Sequence, residues 1–540
     1  MRGRSLWGLV GALGALDAFA GRHYLNADAI SYLDLADAWA RGDWRAAVNA
    51  YWSPLYSILL VPVVRLSRTA RAWEAPLAHA LNFVIFLGAL VAFEFFLRSA
   101  FARLQPGDEP RAARVWAYAL FGRAATALAT LQFVTPDLLV ATVAFVLAGL
   151  LCRIAGGDTR ARMFVALGLT AGLGFLAKLV VLVFALVTLA LAGWLVRPWR
   201  RALSGTALTA ATAILVAGPF VLALSASEGH FTLGEAGRLN YIWSLRAYGR
   251  EPLPARSLEI RSGGATRPRV IVETPRAWAF GDRPGTVPFW YAPASWNRGD
   301  SVRFSADAQW RVLVENARRL RRLLLPWSPA LLALAILALT AVRTARRAAG
   351  WPLWYVALGA AVPFALYLPV QLEPRYVSAA LVLLLFVAFV SLPDTDGAAR
   401  RRRDVIAWLV LLALLAPTLG LRTQTLAEYV VGARPPAAAD VAAERLRGLG
   451  LAPGDGVAVV GDFYEAQWAR VARLRVVAVV DADEAFDTAR AGLTPPARVA
   501  AALAAAGARA VVSDRGPAPT VAPGEWSVLH GALYGRRLDR

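Results

Sequence analysis

Residues 136–152 read PDLLVATVAFVLAGLLC, and the placement of this stretch decides the fold. After the opening Pro-Asp it carries no charge, and apolar side chains fill every side of a helix instead of one stripe. Such a helix is either buried in a large core or crosses a bilayer. The rest of the chain selects the bilayer. Its 540 residues are 58% hydrophobic with mean hydropathy +0.48. Comparable stretches recur at 5–21, 75–97, 115–132, 163–177, 179–196, 206–224, 327–342, 351–370, 377–393 and 404–421. Each approaches the ~20 residues that a crossing helix needs. The expected fold class is membrane all-α, a polytopic bundle of about eleven transmembrane helices.

A net charge of +21 suggests nucleic acid, but its distribution argues for no nucleic-acid partner. Arg2 and Arg4, Arg111 and Arg114, Arg160 and Arg162, Arg200 and Arg201, Arg346 and Arg347, and Arg400 to Arg403 all fall between apolar spans. This is the positive-inside pattern, with attraction to anionic lipid headgroups. With those loops in the cytoplasm, alternation leaves 22–74, 132–136, the turn at 177–178, 225–326, 371–376 and everything after about 422 outside. Arg2, Arg4, a short apolar run and Ala18-Phe19-Ala20 also fit a cleavable signal peptide. On either reading residue 22 emerges outside. The single cysteine, Cys152, and four scattered histidines provide neither a disulfide framework nor a cysteine or histidine-rich zinc site.

In the first outer segment Ile30, Leu33, Leu35 and Trp39 recur at near-helical spacing, with Asp28, Asp34 and Asp37 between them. After Gly42 come Tyr51-Trp52-Ser53-Pro54-Leu55-Tyr56 and an apolar run to Leu66 that is too short to cross. The pattern predicts two helices lying on the membrane surface, with Asp34 and Asp37 on a solvated face. The long segment 225–326 contains Pro288-Phe289-Trp290-Tyr291 and Ala294-Ser295-Trp296-Asn297, which favours an ordered functional loop. After Pro435-Pro436 the β-branched runs Val457–Val460, Val476–Val480 and Ala510–Val512 alternate with helical stretches at 463–473 and 495–507. The alternation predicts a small C-terminal parallel α/β domain over 434–540, following a membrane domain over 1–433. Gly454, Gly456 and Gly461 are spaced wrongly for a dinucleotide fingerprint.

Four places carry chemistry. Asp28 stands just past the first span, where reduced polarity favours a general base; the plain alternative is a solvated helix face. Asp137 sits at membrane depth, where ionisable groups are costly and usually functional, although Asp also caps helices. Lys178 is the only lysine in the chain. It stands at an outer turn, suited to a phosphate as a point charge, or simply snorkelling. Glu373-Pro374-Arg375-Tyr376 places two opposite charges and a phenol in one short turn. Arg375 can fork onto a phosphate with Tyr376 donating; the alternative is an internal salt bridge.

These motifs resemble the GT-C superfamily of membrane glycosyltransferases, of the protein O-mannosyltransferase and aminoarabinose-transferase type. The resemblance rests on Asp28-x-x-x-Tyr32, Ser53-Pro54-Leu55-Tyr56, Pro136-Asp137, the Gly-rich run ending at Lys178, and Glu373-Pro374-Arg375-Tyr376. It covers residues 1–422. It implies inverting transfer from a polyprenyl-phosphate sugar donor to a glycan, lipid or protein acceptor, outside a bacterial cytoplasmic membrane. Asp28 is then the catalytic carboxylate and Asp137 a second acidic residue of the site. Tyr32, Tyr56, Lys178, Glu373, Arg375 and Tyr376 become substrate contacts. The resemblance allows a divalent cation and implies no other cofactor, but Ala29 replaces the adjacent acid found in members with an Asp-Glu opening. The competing readings are a flippase for a lipid-linked saccharide and a non-catalytic scaffold. Unequal halves of the chain speak against the paired repeats common in transporters.

Overall fold

The computed structural model describes residues 3–104, 111–128, 131–248, 268–344, 352–392, 397–433, 436–487 and 492–538. Arg2, Arg346, Arg347 and Pro435 lie outside them. The chain forms two compact units, neither continuous in sequence. One comprises Met1–Arg22, His79–Leu233 and Phe304–Ala433, the other His23–Ala78, Gly234–Arg303 and Arg434–Arg540.

The first unit is helical. Each of the apolar segments named above overlaps a helix, from Gly3–Gly21 to Gly397–Val430, with residues 129, 130, 351 and 393 outside the described residues. Arg71–Leu104, Asp137–Ala155, Trp199–Glu228, Ala306–Thr340 and Gly397–Val430 are long and apolar enough to cross a membrane. Ala161–Ala177, Val181–Leu195, Trp354–Tyr367 and Pro374–Val390 are apolar but shorter. Ile214, Leu215 and Leu222 are exposed on Trp199–Glu228, a surface suited to hydrocarbon. Its other side packs closely on Ala161–Ala177. A Cβ on Gly168 would lie 2.4 Å from the Thr209 carbonyl oxygen, and Thr209 Oγ1 donates to the Phe164 carbonyl at 3.0 Å. Small residues at such crossings let backbones approach where no hydrophobic effect drives them together.

The second unit is built on a seven-stranded sheet: β1 Arg269–Glu273, β2 Arg276–Ala279, β3 Gly456–Val460, β4 Arg475–Val480, β5 Ala508–Ser513, β6 Ser527–His530 and β7 Leu533–Arg537. The order is β1-β2-β4-β3-β5-β7-β6. β3 pairs in parallel with β4 and β5, and every other pairing is antiparallel. The valine-rich runs are therefore strands as expected, but the sheet is mixed and two of its strands come from the long loop. Val457, Val459 and Val512 belong to one core, while Ala458, Val460 and Val511 belong to another. Burial on both faces explains why these runs show no polar alternation.

At the end of β3, Gly461 has φ +116°, and a Cβ there would stand 1.9 Å from Asp514 Oδ1. Gly461→Ala is expected to cost at least the ~1–3 kcal/mol of a residue forced into such a backbone region. Thermal unfolding of the purified protein in detergent measures the loss.

The helix Ala27–Arg41 corrects an expectation. It packs against Pro54–Leu59, Val61–Leu66, Pro288–Tyr291 and Gln467–Ala472, and Ala29 to Ala36 are all buried. It is not a surface helix with a solvated acidic face, because its carboxylates have partners from remote parts of the chain.

Candidate functional site

Two constellations of charged side chains stand out, one in each unit. In the first unit, Asp137 opens the helix Asp137–Ala155 and is buried. Lys178 follows the helix Ala161–Ala177 in extended backbone, which ends the helix and turns the side chain toward Asp137. Its Nζ donates to Asp137 Oδ1 at 2.7 Å, while Thr135 Oγ1 donates to Oδ2 at 2.8 Å. Arg375, in the first turn of Pro374–Val390, brings Nε to 3.6 Å from Asp137 Oδ2. Aromatic rings line these cations. Lys178 Nζ lies 3.9 Å from the Tyr376 ring centroid, and the Arg375 guanidinium lies 5.2 Å from Tyr376 and 5.7 Å from Phe133. Tyr376 in turn stacks on Tyr367 at 4.7 Å.

Four residues singled out in the sequence thus meet: Asp137, Lys178, Arg375 and Tyr376. One carboxylate faces two cations, so the cluster is formally positive. The side chains of Lys178 and Arg375 keep 25% and 20% exposure, against 5% for Asp137, so an incoming anion meets the cations first. The positive end of the Asp137–Ala155 helix adds to the attraction. Glu373 pairs with Arg319 at 3.3 Å and accepts from Gln371 at 3.0 Å. The helix Gly3–Gly21 carries a carboxylate that sequence reasoning passed over. Asp17 is fully buried and 2.7 Å from Arg422 Nε. Its signal was an acid inside an apolar run.

In the second unit, Asp28 lies in the first turn of Ala27–Arg41, and its Oδ1 accepts from Trp290 Nε1 at 3.3 Å. The Trp290 carbonyl accepts from Ser31 Oγ and Trp52 Nε1, both at 3.0 Å. Four residues before Trp290, Thr286 donates to Asp34 through its N–H (2.7 Å) and its hydroxyl (2.9 Å). Residues 286–290 are thereby strapped along the helix at Asp34, Ser31 and Asp28. Tyr32 and Tyr56 are buried and meet edge to face at 5.1 Å, with Tyr32 also 5.0 Å from Trp52.

The same helix is held by Arg470, which sequence reasoning missed. Arg470 contacts Asp34 at 2.6 Å, Asp37 at 2.7 Å and Glu74 at 2.9 Å, and Arg71 pairs with Glu74 and Asp37. Burial alone would lower the Arg470 guanidinium, but Glu74, Asp37 and Asp34 outweigh it and hold the group well above its ordinary value. The only sequence signal was a lone arginine in the apolar stretch Ala469-Arg470-Val471-Ala472.

Among the described residues no group of three or more His, Cys, Asp or Glu side chains is arranged to hold a metal ion. Asp34, Asp37 and Glu74 are taken up by guanidinium groups.

No known family model and no curated protein sequence matches the chain. Among solved structures the chain is similar to ArnT from Cupriavidus metallidurans bound to undecaprenyl phosphate. Identity is 16% and the TM-score 0.51, over 98% of this chain and 97% of that one. The apo state of the same protein gives 15% and 0.46, over 98% and 96%. An oligosaccharyltransferase from Archaeoglobus fulgidus, tethered with an acceptor peptide, gives 13% and 0.45, over 95% and 69%. The first likeness shows a fold shared across nearly the whole of both chains.

Proposed function

We propose that this protein is a glycosyltransferase that moves a sugar from a polyprenyl-phosphate donor to a glycan, lipid or protein acceptor, with inversion. On this reading about eleven helices cross the cytoplasmic membrane of a bacterium, and the reaction takes place on its outer side. The observation that carries the reading is the Lys178–Asp137–Arg375 cluster, a formally positive group with two part-exposed cations at the end of a membrane-length helix. A phosphate attached to a lipid is the ligand such a place fits. The shared fold with a protein crystallised with undecaprenyl phosphate supports the same donor class.

The step is a direct displacement. The acceptor oxygen attacks the anomeric carbon from the side opposite the phosphate, and its proton passes to a carboxylate, the role that the resemblance assigns to Asp28. As the new C–O bond forms, the bond to the phosphate oxygen breaks. The phosphate leaves with the electron pair and its charge develops toward Lys178 and Arg375, where fixed cations in a poorly polar setting stabilise it. Asp137 and Thr135 hold the Lys178 ammonium in place, and the Tyr376 ring lies against it.

Lys178→Met is expected to lower transfer by about 10²-fold, the usual scale for removing one such contact. Lys178→Arg is expected to restore little of it, because a planar fork does not reproduce a compact ammonium on Asp137. Single-turnover transfer from a set of prenyl-phosphate sugars to membrane extracts measures both. Full activity of Lys178→Met would overturn the assignment. Donor crossing sealed vesicles with no acceptor glycosylated would make the chain a carrier instead.

A further inference from the structure

The helix Ala306–Leu324 takes no part in that chemistry, yet its composition is unusual for its place. It carries Arg311, Arg318, Arg319, Arg321 and Arg322 against Asp307 and Glu315. Through a short turn at Leu325–Trp327 it runs into the apolar helix Ser328–Thr344, so that it forms the polar first half of the segment Ala306–Thr340. Glu315 is shared among Arg318 (3.6 Å), Arg319 (3.6 Å) and Arg322 (2.9 Å). One carboxylate against three guanidiniums leaves the helix strongly cationic. Arg311, Arg318 and Arg322 recur at spacings of seven and four, which aligns them in one stripe. Arg311, Arg318, Arg321 and Arg322 are all exposed, as is Trp310 beside them.

The opposite side of the helix grips another element. Asn316 is buried; it donates to the carbonyls of Leu368 at 2.8 Å and Val370 at 3.2 Å, and accepts from the Leu372 N–H at 3.1 Å. Gln309 donates to the Pro369 carbonyl at 2.9 Å, and Arg319 reaches Glu373 at 3.3 Å. Every residue held in this way belongs to the short segment that leads directly into Arg375 and Tyr376.

On the topology expected from the charge pattern these arginines stand at the outer end of a span, against the usual charge bias of membrane proteins. A local anionic partner offsets that bias. We infer that the helix Ala306–Leu324 lies on the bilayer surface and binds anionic phospholipid headgroups through Arg311, Arg318, Arg321 and Arg322, with Trp310 at headgroup level. Headgroup binding on one side then steadies the turn that carries Arg375 on the other, through Asn316. The lipid-binding half stands independently of the transferase reading; the coupling to Arg375 rests on it. Aromatic and basic side chains on a helix continuous with a span are suited to this boundary.

Native mass spectrometry of the full-length protein in a neutral detergent, with equimolar phosphatidylglycerol and phosphatidylcholine, tests the binding. The expected result is preferential retention of phosphatidylglycerol, weakened by about 10²-fold in the Arg311→Gln, Arg318→Gln, Arg322→Gln triple variant. Equal retention of both lipids, or a triple variant that keeps the preference, overturns the proposal. A second arm measures transfer in vesicles of rising phosphatidylglycerol content. Wild type is expected to speed up with anionic lipid, while Asn316→Ala and the milder Gln309→Ala keep the lipid preference and lose the acceleration. A wild-type rate indifferent to phosphatidylglycerol overturns the coupling. Transfer absent in every lipid, with the lipid preference intact, counts against the transferase reading alone.

Discussion

An Asp28→Asn protein is expected to fold and insert as wild type does and to transfer sugar about 10²–10⁴-fold more slowly, the span of rate supplied by a positioned general base. The substitution suits the test because it spares the architecture. Asp28 Oδ1 accepts from the Trp290 indole, and an asparagine oxygen accepts the same bond at the same place. What vanishes is the capacity to take a proton from the acceptor hydroxyl. Single-turnover transfer, with thermal unfolding as a control, reads the effect. An unfolding profile like that of wild type together with an undiminished rate would remove Asp28 from the mechanism.

The largest effect on stability is expected at Arg470. Arg470→Met leaves Asp34, Asp37 and Glu74 without the guanidinium that contacts all three, and Arg71 remains as their ion-pair partner among the described residues. Removing one partner of a buried pair typically costs about 3–5 kcal/mol, since the remaining charge is stranded. The sign of the pH dependence follows. In wild type the guanidinium is held above its ordinary value, so its contribution is fully present at every working pH and would fade only above the arginine range. Burial already raises the Asp34 carboxyl above its ordinary value against the pull of Arg470, and without the cation it is raised further. The folded state then binds protons more tightly than the unfolded one, and stability increases as pH falls toward the carboxylate range. Unfolding in detergent from pH 8 to pH 5 should show the variant gaining on wild type. A gap that does not narrow would mean that the three acids are compensated by something other than Arg470.

The contrast between Arg470 and Lys178 shows what was legible in the sequence. The helical segments announced themselves because hydropathy is local, and each apolar run carries its own evidence. Lys178, Arg375 and Asp137 were also visible, since a charge beside an apolar span is conspicuous where it stands. Arg470 was not, because nothing near it betrays that its partners lie hundreds of positions earlier. Asp34 and Asp37 were misjudged for the same reason. Three acids at helical spacing look like a wet face until the guanidinium that covers two of them is known. The sheet was half legible. β3, β4 and β5 show as valine runs buried on both faces. The hairpin of β1 and β2 is a short edge addition inside a loop, and its pairing with β4 leaves no periodic trace in residues 269–279.

The second unit is made from three stretches of chain with helical segments threaded between them, and its middle strands come from the third stretch. A ribosome that has completed residue 433 has delivered Asp34, Asp37, Glu74 and the β1–β2 hairpin, but neither Arg470 nor β4. Until Arg470 and β4 follow, these acids and that open edge await their partners. A premature stop between residue 433 and Arg470 should therefore yield a chain whose hydrophobic helices insert but whose second unit never closes, a substrate for quality-control proteases instead of a shortened enzyme.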